Sequence, residues 1–351
     1  MKRSAVHIAL LAVAAVAVLY LFFWKPLRSP SPETLRLVLL NWEDYIDRAI
    51  LTDFEKETGI AVTVVEYHTM DESVTLLQND PAAYDLVIAN EGILDFLRKA
   101  ELLRPFDKEQ LVGSDRVDGR FSRYLPLAVP YLWSAAGFMV DRRQVPDDAD
   151  SVDILWDPRY RGKVRLLDDV REALFPVLLK AGRSINADDP AEVAAAAPLA
   201  EALHGNGVSF GDTFENIARL LDGTVWIVQT YNGDYLYKAH GRPEYRFFLP
   251  REGFPSQVDL FMLPKATRNA AAAHRFVSFC LRPEVAARNT DRYFYANLVK
   301  GSDAFLRPEL RDNAIMFPAA ATLARGVAYR EVGEAYPAYQ RLFNLMKRSR
   351  P

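Results

Sequence analysis

The sequence predicts an α/β fold made of two lobes that face each other across a cleft. Short apolar runs alternate with amphipathic stretches along the chain, which is typical of strands covered by helices. The alternation falls into two blocks that short extended segments connect. With 351 residues, 50% of them hydrophobic and 25% charged, the chain has enough material for two globular units. Clefts between such units commonly bind small ligands.

The N-terminal segment 1–28 has the features of an export signal. Lys2 and Arg3 precede an apolar run from Ser4 to Trp24, which is long enough to cross a membrane and longer than the core of most cleaved signals. We therefore expect an uncleaved signal-anchor, with the bulk of the chain outside the cytoplasmic membrane. A cleaved signal peptide is the alternative, and it would also export the protein. Residues 29–34, rich in proline and serine, are predicted to form a linker.

The first block predicts alternating strands and helices. A helix with Ile46, Ile50 and Phe54 at helical spacing is expected to stop at Gly59. Around it we predict strands over 35–40, 60–67 and 84–89 and helices over 72–78 and 93–101. This order implies a largely parallel sheet with helices on both faces. The stretch NWEDYI, residues 41–46, then lies at the carboxyl end of the first strand, where open parallel sheets bind ligands.

The second block continues the pattern as far as the C-terminus. We predict a strand within 162–169, a helix over 170–181 and an alanine-rich helix over 190–204. Further strands are expected at 224–230, 246–250 and 257–264, followed by helices over 273–281 and 334–349. The chain contains no internal repeat that would indicate a solenoid.

Charge and residue usage exclude several classes of function. The net charge is -3, and four of the 43 cations, Lys2, Arg3, Lys25 and Arg28, flank the N-terminal segment. The remainder carries 39 cations (43 minus 4) against 46 acids, or -7, which argues against nucleic-acid binding and favours a cationic partner. A single cysteine, Cys280, permits no intrachain disulfide, and the five histidines lack metal-ligand spacing. We therefore predict no metal and no cofactor.

An enzymatic role finds little support in the motifs. The chain has neither a nucleophile elbow nor a phosphate-binding loop. The carboxylate pair Asp169 and Glu172 could serve a hydrolase, but one helical turn places both acids on the same side of any substrate. We therefore expect a binding protein.

Several segments in order resemble one family. LNWEDYI, AYDLVIA, YNGDY and QVDLFMLP contribute, and LWDPRYRGKV followed by DDVRE is the most specific. From about Leu35 to the C-terminus the chain resembles the bacterial periplasmic spermidine/putrescine-binding proteins, the solute receptors of polyamine ABC importers. The resemblance implies the type II periplasmic-binding-protein fold, in which the chain crosses three times between lobes. Lobe one is then 35–134 plus 259–302, and lobe two is 135–258 plus 303–345.

The resemblance also implies a ligand site for an extended polycation, gripped by carboxylates and lined by aromatic rings. Carried over by position, the implied ligand-binding residues are Trp42, Tyr45, Asp169, Glu172, Tyr231, Asp234, Asp259 and Tyr293, with added charge from Glu43 or Asp44. Three positions depart from the family pattern. Gln257 replaces an aromatic residue, Glu91 adds an acid where the family has small polar residues and tyrosine, and Tyr329 stands where some members have glutamine. These departures leave the identity of the polyamine open.

Most of these residues also have a structural alternative. Asp169 and Glu172 fit a helix capping box, and Trp42 could be a core residue. Asp234 could belong to a turn, and Glu91 could be a solvated acid that the helix dipole favours. Asp259 lies in an apolar strand pattern, where an unpaired carboxylate is costly, so it requires a partner.

We therefore predict a receptor at the extracytoplasmic face that captures a polyamine and delivers it to an ABC permease, tethered to the cytoplasmic membrane. Two alternatives stay open. One is a membrane-anchored sensor that contacts a partner protein, and the other is a receptor of the same fold for a different small cation or an amino-acid-like ligand.

Overall fold

The computed structural model describes residues 35–43, 45–68 and 70–348, apart from the side chain of Asp71. The predicted signal-anchor 1–28, the linker 29–34 and the site candidate Asp44 lie outside the described residues. Within the described ranges, no helix is both long and apolar enough to cross a membrane.

Twelve strands are found in the described part of the chain: β1 Arg36–Trp42, β2 Ala61–Tyr67, β3 Leu86–Asn90, β4 Leu103–Arg104, β5 Ala128–Asp141, β6 Val164–Leu167, β7 Ser209–Gly211, β8 Ile227–Tyr231, β9 Tyr245–Phe248, β10 Phe254–Pro264, β11 Ala296–Asn297 and β12 Gly326–Val327. The α-helices are α1 Arg48–Thr58, α2 Met70–Asn79, α3 Leu94–Lys99, α4 Val170–Lys180, α5 Pro190–Ala194, α6 Ala197–Gly205, α7 Thr213–Leu221, α8 Asn232–Ala239, α9 Ala270–Cys280, α10 Pro283–Tyr293, α11 Pro308–Arg311, α12 Ala320–Leu323 and α13 Tyr336–Lys347. Short 3-10 turns include Glu91–Ile93 and Gly119–Tyr124.

The strands form one mixed sheet in the order β2-β1-β3-β10-β5-β8-β6-β7. Strand β1 is parallel to β2 and β3, and β6 is parallel to β7 and β8. In the centre, β10 and β5 run antiparallel to each other and to the strands beside them. The prediction of a largely parallel sheet is therefore correct at both ends and wrong in the centre.

The central strand β5 escaped the sequence prediction because of its burial. All of its 14 residues are buried, so its sequence AVPYLWSAAGFMVD lacks the polar alternation of a half-exposed strand. Its N-terminal part pairs with β10, and Ala136 to Val140 pair with β8. We call β1–β4, β10 and β11 the first half of the sheet and β6–β9 the second half. Strand β5 runs through both.

Each half has its own hydrophobic core. The first half packs around Phe54, Phe261 and Phe276, and the second around Phe175 and Tyr339, which the C-terminal helix α13 brings in. A further cluster, which includes Trp133 and Val258, lies where the halves join. The junction is therefore packed on one side and, as described below, carries polar groups on the other.

Local signals account for several helix boundaries. The side chain of Asp47 caps α1 by accepting a hydrogen bond from the Ala49 N–H, and Gly59 ends the helix with a φ of 69°. The alanine-rich stretch was predicted as one helix over 190–204, but it forms α5 and α6. Pro198 lies in the first turn of α6, where its missing N–H is harmless, whereas a continuous helix would have placed it inside.

Candidate functional site

Asp259 is a buried acid at the junction of the two halves. Its side chain lies on β10 and is buried, with an exposed fraction of 4% for the residue. The Trp42 Nε1–H donates to Oδ1 over 3.2 Å, and the Tyr45 hydroxyl donates to Oδ2 over 2.5 Å. Burial raises the pKa of Asp259 to about 6, although the two hydrogen bonds act in the opposite direction.

The end of β1 brings these two donors to the acid. Strand β1 ends at Trp42 and α1 begins at Arg48, so Trp42 and Tyr45 lie at the carboxyl edge of the sheet. The Trp42 ring packs on Tyr67 with centroids 4.4 Å apart, and the Tyr45 ring lies 5.6 Å from that of Tyr295. An aromatic wall therefore stands beside the Asp259 carboxyl. Glu43 points to the surface, where it pairs with His68 Nδ1 at 3.0 Å.

Glu172 is the corresponding acid on the side of the second half. Its Oε1 accepts hydrogen bonds from the Tyr231 hydroxyl at 3.2 Å and from Gln257 Nε2 at 2.8 Å. Its Oε2 has no hydrogen-bond partner among the described residues. Burial, followed by the charge of Asp169, raises the pKa of Glu172 to about 8. The side chains of Tyr231, Tyr329 and Gln257 lower it, but by less.

Asp169 adopts the capping role that competed with ligand binding. Its Oδ1 accepts from the backbone N–H groups of Arg171 and Glu172 at 2.8 and 2.9 Å, which begins α4. Only half of the predicted capping box forms, because the Glu172 carboxyl turns towards Tyr231 and Gln257. Asp169 itself is exposed, so its contribution to the cleft is its negative charge beside Glu172.

Gln257 connects the two halves through a chain of amides. While its Nε2 donates to Glu172, its Oε1 accepts from Asn90 Nδ2 at 3.3 Å. Gln257 and Asp259 project from the same side of β10, because alternate residues of a strand share a face. The replacement of an aromatic residue by glutamine thus places a polar amide between the two main acids.

Asp234 forms a third acidic position, at the first turn of α8. Its Oδ1 accepts from the Tyr295 hydroxyl at 2.7 Å and its Oδ2 from Thr213 Oγ1 at 2.9 Å. Burial raises its pKa to about 6. A Cβ atom added to the neighbouring Gly233 would lie 2.5 Å from the Tyr295 ring, so this approach requires glycine.

The structure places Tyr295 in the aromatic group and Tyr293 beside it. The Tyr293 hydroxyl donates to the backbone oxygen of Ile46 at 3.3 Å, whereas Tyr295 contacts both Tyr45 and Asp234. Helix α10 ends at Tyr293, and Phe294 turns the chain with a φ of 63°. Tyr295 and Thr213 were missed from the sequence because nothing in the local pattern marks this turn; the pair of tyrosines at 293 and 295 was the one available signal.

Glu91 does not join the other acids. It follows Asn90 directly, but its carboxylate lies 3.5 Å from Arg123 and lines a cavity with Ser256 and Val258. These two residues alternate along β10 with Gln257 and Asp259, and therefore face the opposite side of the strand. The predicted ligand role of Glu91 in the cleft is not supported by this placement.

The three cleft acids share one electrostatic property. Every hydrogen bond to Asp234, Asp259 and Glu172 comes from a neutral hydroxyl, indole or amide. Within the described ranges, none of the three forms an ion pair; Lys238 lowers the pKa of Asp234 only from a distance. Burying carboxylates without a counter-charge is costly. A cation is the complement that the cleft lacks.

Two α/β halves joined by a shared strand, with acids and rings gathered at their junction, are typical of a receptor that encloses a small solute. The family comparison agrees with this class. Residues 49–318 match the model for the bacterial extracellular solute-binding proteins, so the chain belongs to that family. The family and its periplasmic relatives support an extracytoplasmic location.

Particular relatives narrow the comparison. The spermidine/putrescine-binding periplasmic protein of Salmonella typhimurium is 28% identical over 322 residues, which cover 90% of this chain and 92% of the relative. The putrescine-binding periplasmic protein PotF of Escherichia coli is 28% identical, covering 84% and 86%. The crystal structure of the spermidine/putrescine ABC transporter substrate-binding protein PotD from Streptococcus pneumoniae superposes with a TM-score of 0.80 at 25% identity, covering 89% of this chain and 98% of that one. The first two are polyamine-binding periplasmic proteins, and the third is the substrate-binding protein of an ABC transporter.

Proposed function

We propose that this chain captures an organic polycation, a polyamine of the putrescine or spermidine type, outside the cytoplasm and delivers it to an ABC permease. The observation that carries the proposal is the set of three buried carboxyls, Asp234, Asp259 and Glu172, whose hydrogen-bond donors are all neutral. Ammonium groups would supply the missing positive charge through charge-assisted hydrogen bonds.

The aromatic side chains support the same class of ligand. Trp42, Tyr45, Tyr231 and Tyr295 each contact one of the three acids through a hydrogen bond. Their rings can attract the ammonium groups, and each such contact contributes about 0.5 to 2 kcal/mol once water is excluded. A methylene chain between two ammonium groups would pack on the same rings.

The distribution of the acids favours a ligand with more than one positive charge. Asp259 belongs to the first half of the sheet, whereas Glu172 and Asp234 lie on the side of the second half. A ligand that contacts both sides stabilises their approach, because it has differential affinity for the closed arrangement. Relatives that are known as spermidine/putrescine-binding and putrescine-binding proteins support this interpretation.

Membership of the family also supports the proposed location, lobe boundaries and partner of this chain. We propose that segment 1–28 tethers the receptor to the cytoplasmic membrane and that the lobes divide near residues 134, 258 and 302. Delivery to a permease is proposed because the structural relative is the substrate-binding protein of an ABC transporter.

A second candidate ligand is a small cation with a polar middle section. The observation that favours it is Gln257, whose amide lies between Glu172 and Asn90. An amide can hydrogen-bond a hydroxyl or secondary amine of a ligand, which the aliphatic chain of putrescine does not offer.

Isothermal titration calorimetry on residues 30–351 tests the proposal. Putrescine and spermidine should bind, and Asp259→Ala should weaken binding by at least about 10-fold, since a hydrogen bond to a charged group contributes roughly 1.5 to 3 kcal/mol. Asp303→Ala, at an exposed acid away from the cleft, is the matched control. A thermal-shift screen with quaternary amines, amino acids and sugars tests whether the protein binds other classes of ligand. Stabilisation confined to sugars, or unchanged affinity in Asp259→Ala, would refute the polyamine site.

A further inference from the structure

A cavity of about 310 Å³ lies on the opposite side of β10 from the cleft acids. Its wall includes Trp133 of β5 and Ser256 and Val258 of β10, whose side chains alternate with those of Gln257 and Asp259. The segment around α12 forms another side of the cavity, with Leu323 and Ala324 in its lining. The size is at the lower end of the roughly 300 to 1,000 Å³ that small-molecule sites occupy.

The polar group of this cavity is the Glu91 carboxyl. The Glu91 side chain has an exposed fraction of only 9%, while Arg123, its ionic partner at 3.5 Å, is 59% exposed. The guanidinium of Arg123 also donates to the Tyr124 hydroxyl at 2.6 Å, so its contact with Glu91 is the longer of the two. Burial raises the pKa of Glu91 to about 7, although Arg123 and the backbone N–H of Val258 lower it. The carboxyl is therefore buried with an incomplete counter-charge.

The remaining lining is mostly apolar or aromatic. Phe121 and Trp133 present rings, and Val258 and Leu323 present aliphatic groups. The Ser256 hydroxyl is already occupied by the Trp133 Nε1–H, which donates to it over 2.8 Å. One buried acid within an apolar and aromatic enclosure suits a ligand with one positive charge and an apolar body.

We propose that this cavity is a second ligand site, distinct from the cleft, which binds a small primary monoamine with its ammonium group on Glu91. Two guanidinium groups, those of Arg120 and Arg123, lie in the lining and disfavour a ligand with a second ammonium. Arg120 lines the site and also pairs with Asp118 at 2.6 Å. The cavity and the cleft therefore select different amines, one with a single charge and one with several.

Calorimetry on the full-length protein with 2-phenylethylamine tests this site. The wild-type protein should bind the amine, and Glu91→Gln should weaken binding by about 10-fold or more, through loss of a charged hydrogen bond. Asp259→Asn should leave this binding unchanged. Asp95→Asn, at an exposed acid nearby, is the matched control for Glu91→Gln.

A second variant tests the cavity without touching the acid. Ala324 is an exposed lining residue, so Ala324→Trp should fill the cavity without disturbing the fold, which a thermal melt verifies. This variant should also weaken 2-phenylethylamine binding by about 10-fold or more, matching the loss expected for Glu91→Gln. The proposal is overturned if the wild-type protein fails to bind the monoamine at millimolar concentration, if either variant binds it normally, or if Asp259→Asn abolishes binding. None of these outcomes depends on whether the cleft binds polyamines.

Discussion

Asp259 on β10 and Glu172 on α4 both lie at the junction of the two halves, and they are held in different ways. Each oxygen of Asp259 has one donor: Trp42, the last residue of β1, and Tyr45, which lies between β1 and α1. Glu172 receives both of its donors on Oε1, and Oε2 has no partner within the described part of the chain. Both oxygens of Asp259 therefore accept a hydrogen bond before any ligand binds. Glu172 Oε2 does not, so a bound ligand can supply a new hydrogen bond there.

The difference extends to protonation. Burial raises the pKa of Asp259 to about 6 and that of Glu172 to about 8, the latter helped by the nearby charge of Asp169. At neutral pH, Asp259 is therefore mostly ionised, while Glu172 mostly holds its proton. Binding of an ammonium group at Glu172 requires release of that proton, whereas binding at Asp259 does not.

We expect the largest effect when each acid is replaced by its amide and putrescine affinity is measured. At pH 7, Asp259→Asn should weaken putrescine binding by about 10- to 100-fold, because a charged hydrogen bond contributes roughly 1.5 to 3 kcal/mol. Glu172→Gln should cost less, since glutamine resembles the neutral acid that is present and ionising that acid consumes about 1.4 kcal/mol per pKa unit. Calorimetry on both variants measures the two losses of putrescine affinity. Equal losses would contradict the proposed difference between the two acids.

The next effect concerns the stability of the ligand-free protein. Between about pH 6.5 and 8 the folded protein holds a proton on Glu172 that the unfolded chain, with a carboxyl pKa of 4.5, has already released. The free energy of unfolding should therefore fall as pH rises, by up to about 1.4 kcal/mol per pH unit from this group. Urea denaturation of the wild type and of Glu172→Gln isolates this contribution as the difference between the two slopes, because the variant should keep only the decline from groups such as Glu91, whose pKa is about 7. A wild-type stability that increases over this range would refute the assignment.

The pH dependence of binding should have the opposite sign. Raising the pH from about 6 to 8 should strengthen putrescine binding, by at most about 10-fold per pH unit for each proton displaced, while the ligand amines, with pKa values near 10, stay charged. Titrations in buffers of different ionisation enthalpy should detect proton release near pH 7. In Glu172→Gln that release should largely disappear, and a wild type that takes up protons would contradict the model.

The smallest effect tests one neutral donor. Tyr231→Phe removes the hydroxyl that donates to Glu172 Oε1, which should cost about 0.5 to 1.5 kcal/mol of unfolding free energy. Tyr237→Phe, at an exposed tyrosine, is the control and should be close to neutral. Chemical denaturation measures both. A loss in the control as large as that in Tyr231→Phe would show that the hydroxyl at 231 has no special role.

Local sequence signals predicted much of the fold and part of the site. Gly59 ends its helix as predicted, and Asp169 begins another, because both act through the backbone within a few residues. The placement of Trp42 and Tyr45 follows from the end of a strand at the carboxyl edge of the sheet. These features depend on the backbone conformation of a few neighbouring residues, which the residue types there largely determine.

The features that were not predicted depend on strand direction and backbone conformation, which local residue patterns do not determine. The antiparallel direction of β5 and β10 is a property of chain routing, and a fully buried strand reads as an apolar run in either direction. Glu91 faces away from Asp259 because of the turn it begins, although Asn90 beside it pairs with Asp259 across the sheet. Tyr295 reaches the cleft through the positive φ of Phe294, a conformation uncommon for a bulky residue.

Strand β5 has a mechanical consequence for the whole receptor. It runs without interruption from the part of the sheet that carries Asp259 to the part that carries Tyr231, and β10 lies hydrogen-bonded along its first portion. The pairing of β5 changes from β10 to β8 between Ala135 and Ala136, so any change in the orientation of one half relative to the other has to pass through the backbone of this one strand.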